Sequence, residues 1–129
     1  MLNLILAMFI GFVAASLADW LFMGVLFHER YMAFPEVWRD PKDEQRRIII
    51  AQIFAAMTAI GFVLLASRLG QTTPRRALLL AAAIWFIGPL PLLLGNHLFI
   101  KLDPRVTFAH AAGWLVKLLL IGGVTAIFL

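Results

Sequence analysis

The sequence predicts an all-α integral membrane protein: a four-helix bundle whose third transmembrane helix is kinked by proline. Three observations carry this prediction. First, 63% of the 129 residues are hydrophobic and only 14% are charged, with a mean hydropathy of +0.94, unlike the balance that covers a water-soluble domain. Second, the apolar residues fall into four stretches, each near the roughly 20 residues a helix needs to cross the hydrocarbon layer. Third, three of the four stretches are preceded by a capping residue and a proline, at Asp40-Pro41, Thr73-Pro74 and Asp103-Pro104. The spans are expected at about 2–27, 46–67, 75–100 and 106–129, in one domain.

The first span has no Lys or Arg before Arg30, so it lacks the basic leader of a signal peptide and reads as a retained helix. Between it and the second span lies the longest polar connection. There Phe27, Tyr31, Phe34 and Trp38 recur at helical spacing, which reads as an aromatic belt in the headgroup region or as a lid over a site, with Pro35 as a breaker. At each capped start, the Asp or Thr oxygen can accept an orphan backbone N–H, and proline in the first turn has no N–H to strand. Asp43 and Glu44 suit the positive end of the second helix. In the third span, Pro89 and Pro91 each remove a helical hydrogen bond, freeing the carbonyls of Trp85 and Ile87.

Seven Lys and Arg flank connections one and three (Arg30, Arg39, Lys42, Arg46, Arg47, Lys101 and Arg105), against Arg68, Arg75 and Arg76 at connection two. That bias predicts connections one and three in the cytoplasm and the termini outside a cell membrane. The net charge of +4 is distributed over helix ends and does not form a nucleic-acid footprint. With no cysteine in the chain, disulfides and thiolate chemistry are excluded.

Ionisable groups inside a bilayer cost at least about 2.5–3.5 kcal/mol each at a helix centre on insertion scales, so Asp19 and Lys117 are the most informative residues. Counted from the same side, they lie roughly 13 and 16 Å deep at about 1.5 Å per residue, and an internal ion pair is expected. Small residues Gly11, Ala14, Ala15 and Ala18 line the Asp19 side of its helix. His110, Gly113, Trp114 and Lys117 share one face of the fourth, and Gln52, Ala55, Ala56 and Ala59 form a stripe on the second. Asn96 and His97 lie near the end of the third. The polar set therefore gathers in the half of the membrane next to connections one and three. This predicts a one-sided pocket built from Asp19, Gln52, Asn96, His97, His110, Trp114 and Lys117.

His28, His97 and His110 are candidate ligands for zinc, copper or iron, although no pair stands at i, i+3 or i+4 and no HExxH or CxxCH is present. No metal is assigned on that basis, and no cofactor is named. Phosphate loops and nucleophile elbows are absent.

Trp20-Leu21-Phe22-Met23-Gly24-Val25-Leu26-Phe27-His28-Glu29 at the end of the first span and Gly113-Trp114-Leu115-Val116-Lys117 in the last give the chain a resemblance to four-helix bacterial membrane proteins grouped as domains of unknown function. The polar doublet expected beside the first motif is missing. The resemblance implies the fold and brings no activity or site residues with it. Three functions are compatible with the residues. The first is a ligand-binding or accessory subunit in the bilayer, alone, as a homo-oligomer or in a larger complex, and taking a small molecule. The second is a proton-coupled carrier using Asp19, His110 and Lys117, and the third a membrane metal or haem enzyme.

Overall fold

The computed structural model describes residues 1–37 and 41–129, and every regular element among them is helical. Asp40, with its expected cap, and Trp38, the last of the aromatic series, lie outside the described residues. Four helical stretches are long and apolar enough to cross a membrane, Leu2–Leu26, Glu44–Arg68, Pro74–Phe99 and Pro104–Phe128. They form a bundle with large apolar side chains such as Phe9, Phe54, Phe86 and Leu98 on its outside, where only a bilayer offers them an apolar solvent.

The first span is not one α-helix. Helix α1 (Leu2–Asp19) passes directly into a π-helical segment, Trp20–Leu26, and the Phe27 amide donates to the carbonyl of Phe22, five residues back. The wider turn aligns residues five apart, and the rings of Phe22 and Phe27 stack with centroids 6.1 Å apart. Gly24 lets the indole of Trp20 lie against the segment, since a Cβ there would stand 3.2 Å from the ring. Helix α2 (His28–Met32) follows, and Pro35 opens a separate 3₁₀ turn, Pro35–Val37. The aromatic spacing thus spans two elements, with the break at Pro35 that the sequence predicts. Tyr31 is buried, while Phe34 faces outward. A belt at the headgroups does not describe Tyr31.

A 3₁₀ turn, Pro41–Asp43, leads into α3 (Glu44–Arg68), so the second helix begins ahead of its apolar stretch, as the acidic residues imply. It ends in a Schellman motif. Gln71 N–H donates to Ala66 and Gly70 N–H to Ser67, with Gly70 at φ +64°, a conformation that glycine adopts without a Cβ penalty. The third span is two helices, α4 (Pro74–Ile87) and α5 (Pro89–Phe99), broken at Gly88 with φ −114° and ψ −88°. The prolines do more than bend this helix; they end it and start another.

Helix α6 (Pro104–Phe128) is the centre of the bundle. It packs on α1 along one side and on α4 along another, while α3 packs chiefly on α1. Its buried residues include Thr107, Ala109, Gly113, Lys117, Ile121, Gly122 and Thr125, and the small ones set the spacing to the neighbouring helices. A Cβ on Gly122 would lie 3.1 Å from the backbone oxygen of Ala77 in α4.

The capping expectations divide. Asp103 accepts from the amides of Arg105 at 2.8 Å and Val106 at 3.2 Å. Thr73 occupies the cap position with extended backbone, but its side chain makes no capping bond. Its hydroxyl is therefore not the cap the sequence pattern suggests. Asp103→Ala should lower stability by about 1 kcal/mol, and Thr73→Ala by clearly less, read from unfolding curves of the purified protein in detergent. Equal losses would show that Asp103 contributes nothing through its carboxylate.

Candidate functional site

Asp19 is the last residue of α1, at the boundary with the π-helical segment, and Lys117 lies thirteen residues into α6 with eleven still to come. Both sit deep within their spans. The Lys117 Nζ lies 2.6 Å from Asp19 Oδ1, with the lysine side chain 7% and the aspartate 25% exposed. In a medium of low dielectric neither charge is tolerable alone, and each supplies the other's counter-charge. Lys117 Nζ also stands 4.2 Å from the ring centre of Trp114, one turn earlier on α6. The electron-rich face of an indole attracts a cation, most strongly where water is excluded.

The approach of α1 to α6 follows from the small residues. Ala15 and Ala18 are buried, and a Cβ added to Gly11 would meet Ile121 at 3.5 Å. Gly113 receives the ring of Phe22, whose carbons lie 3.3–3.5 Å from where its Cβ would be. The π-helical turn therefore seats Phe22 on α6 beside the ion pair. Together these residues bound a cleft of about 220 Å³ that Asp19, Phe22, Phe54, His110, Trp114 and Lys117 help to line. Met23 and Phe54, which are exposed on the outside of the bundle, flank it, so it opens between the first span and α3. Thr58 also borders it, but its hydroxyl donates to the Phe54 carbonyl within its own helix.

Of the seven residues expected to gather, Asp19, His110, Trp114 and Lys117 do so. Gln52 faces α1, where its side-chain oxygen accepts from the Ser16 hydroxyl at 2.6 Å. His97 is held elsewhere, its Nδ1 3.2 Å from the hydroxyl of Thr107. Asn96 makes no side-chain hydrogen bond among the described residues and does not line the cleft. Among the described residues, no three His, Asp or Glu side chains stand where they could share a metal ion. His28 is exposed at the end of the first span and does not line the cleft.

Tyr31 is the residue whose surroundings spacing alone left open. Its ring meets that of His110 edge-on, 5.3 Å between centres, which links the first connection to the polar face of α6. Burial raises the phenol above its ordinary pKa, and the negative charge of Asp19 raises it further. A buried phenol disfavours its charged form, so the stability it contributes is complete below the ordinary tyrosine pKa and falls as pH rises through the raised one. Tyr31 is the chain's sole tyrosine, so tyrosinate absorbance reports on it alone. At about pH 11, one unit above the ordinary value, folded protein should show clearly less tyrosinate than the unfolded chain at the same pH. Asp19→Asn should move the titration downward without restoring the ordinary value. Ionisation near the ordinary pKa in folded protein would place Tyr31 in water.

A family model described as "Protein of unknown function (DUF1761)" matches residues 6–126, nearly the whole chain, and the chain belongs to that family. No curated protein and no solved structure matches it.

Proposed function

We propose that this member of the DUF1761 family binds a small amphiphile in the cleft beside Asp19 and Lys117. The observation that supports this most is an ion pair deep in the membrane whose carboxylate stays 25% exposed in a cleft with aromatic walls. A pair serving packing alone is best enclosed, because each exposed charge loses interaction strength and gains nothing from hydrocarbon. Asp19 retains acceptor capacity beyond its contact with Lys117, since a carboxylate offers about four lone-pair sites. Phe22, Phe54 and Trp114 suit an apolar body, and Asp19 suits an amine or hydroxyl donor. Such a ligand would enter sideways from the bilayer between the first span and α3. We place connections one and three in the cytoplasm, on the distribution of Lys and Arg.

A naphthyl-substituted primary amine, titrated into purified protein in detergent micelles, tests the reading through indole fluorescence. Saturable quenching is expected in the wild type. Trp114→Phe should remove that component, and Asp19→Asn should weaken the affinity about tenfold, the effect of losing one charge-assisted contact of about 1.4 kcal/mol. Linear, unsaturable quenching that is identical in all three proteins would refute a binding cleft.

One observation favours a second reading, a proton-coupled carrier. Tyr31 of the first connection is in contact with His110, which lines the same cleft as Asp19 and Lys117, and imidazole exchanges protons near neutral pH. Proteoliposomes under a pH gradient would report it. Proton flux that disappears in His110→Gln supports a carrier, and flux no greater than in protein-free vesicles removes it.

A further inference from the structure

A second cavity lies at the end of the bundle where the first and third spans finish and α6 begins. It holds about 290 Å³, just below the ~300–1,000 Å³ typical of ligand pockets, and suits a headgroup better than a whole lipid. Arg30 enters it from α2 and Lys101 from the connection before α6, with Glu36 on the 3₁₀ turn. Neither Arg30 nor Lys101 forms an ion pair among the described residues. The carboxylate of Asp103, although on the rim, is turned to the α6 amides that it caps. The remaining wall is formed by Tyr31 and by the apolar side chains of Phe34, Val37, Leu102 and Val106.

We propose that this cavity binds the headgroup of a zwitterionic phospholipid bearing a primary ammonium, of the phosphatidylethanolamine type. Arg30 and Lys101 hold the phosphate, because their N–H groups donate charge-assisted bonds to its oxygens. Glu36 accepts from the ammonium, which a quaternary choline has no N–H to satisfy. The balanced charge of the lining, two basic and two acidic side chains, favours a zwitterion over an anionic headgroup. The apolar wall, at the ends of the first and third spans, would meet the start of the acyl chains. This site is separate from the cleft at Lys117 and does not depend on what that cleft binds.

The test is lipid retention by the full chain, extracted in mild detergent, incubated with equimolar phosphatidylethanolamine, phosphatidylcholine and phosphatidylglycerol, and read by native mass spectrometry. Wild type should hold one phosphatidylethanolamine in preference to the other two. The double variant R30Q K101Q should lose retention by about tenfold or more, whereas R30K K101R, which keeps both charges, should retain the lipid. E36Q should bind ethanolamine and choline lipids alike. R105Q removes a positive charge at the same end of the bundle but outside the cavity, and should behave as wild type. The proposal is overturned by equal retention of all three lipids in the wild type, by undiminished retention in R30Q K101Q, or by an R105Q loss as large as that of the double variant. Displacement of the lipid by water-soluble glycerophosphoethanolamine at matching concentration would likewise overturn it, by assigning the site to a soluble phosphodiester.

Discussion

Asp19→Leu alone, or Lys117→Met alone, should destabilise the protein by roughly 3–5 kcal/mol, and the two together by far less. Each single change leaves one charge in hydrocarbon beside a partner that is gone. The surviving group must then draw in water, change protonation or push the helices apart. The double change replaces the pair with apolar side chains of similar length, removing both desolvation penalties at once. Unfolding of the four proteins by denaturing detergent, followed by circular dichroism, closes the cycle. A large favourable coupling is expected because the groups touch at 2.6 Å. Additive single effects would mean that Asp19 and Lys117 act independently.

Gly122→Val is the second large effect, and it concerns the scaffold that presents the pair. At Gly122 the neighbour of an added Cβ is the backbone oxygen of Ala77 at 3.1 Å, with the backbone carbon at 3.4 Å. Backbone cannot rotate aside as a long side chain can, so α4 and α6 must separate. The expected loss is about 1–3 kcal/mol or more, the usual range for overpacking a close contact. Gly123, the next residue, has nothing within 4 Å of a Cβ, and Gly123→Ala should be neutral or slightly stabilising through helix propensity. Equal behaviour of the two variants would show that the α4–α6 contact is looser than the structure describes.

The helices and the ion pair were legible because they depend on quantities a sequence displays directly. Apolar length gives the spans, and scarcity makes the two intramembrane charges conspicuous. Matching depth from a common side joins Asp19 to Lys117 before any packing is known. The π-helical segment was not legible. Hydropathy is the same for either helix type, and only Gly24, beneath the Trp20 indole, hints at unusual local geometry. Spacing left Tyr31 open between a belt at the headgroups and a lid over a site, because a period shows which residues share a face but not what that face meets; the ring lies against His110. Depth grouped Gln52 and His97 with the pair, but depth does not fix rotation about a helix axis. Gln52 is turned to Ser16 and His97 to Thr107, local partners that satisfy each side chain away from the cleft. The Gly88 break was visible as two prolines, yet its degree was not, since a proline can either bend a helix or end it.

The buried Asp19–Lys117 pair is tested most directly by a solid-state NMR measurement of the carbon–nitrogen dipolar coupling between Asp19 Cγ and Lys117 Nζ, in protein reconstituted into lipid bilayers. A strong coupling is expected, as a 2.6 Å contact between Nζ and Oδ1 requires, together with slow exchange of the Lys117 ammonium protons. Absence of coupling, with Lys117 protons exchanging at the rate of a lysine at the water interface, would contradict it.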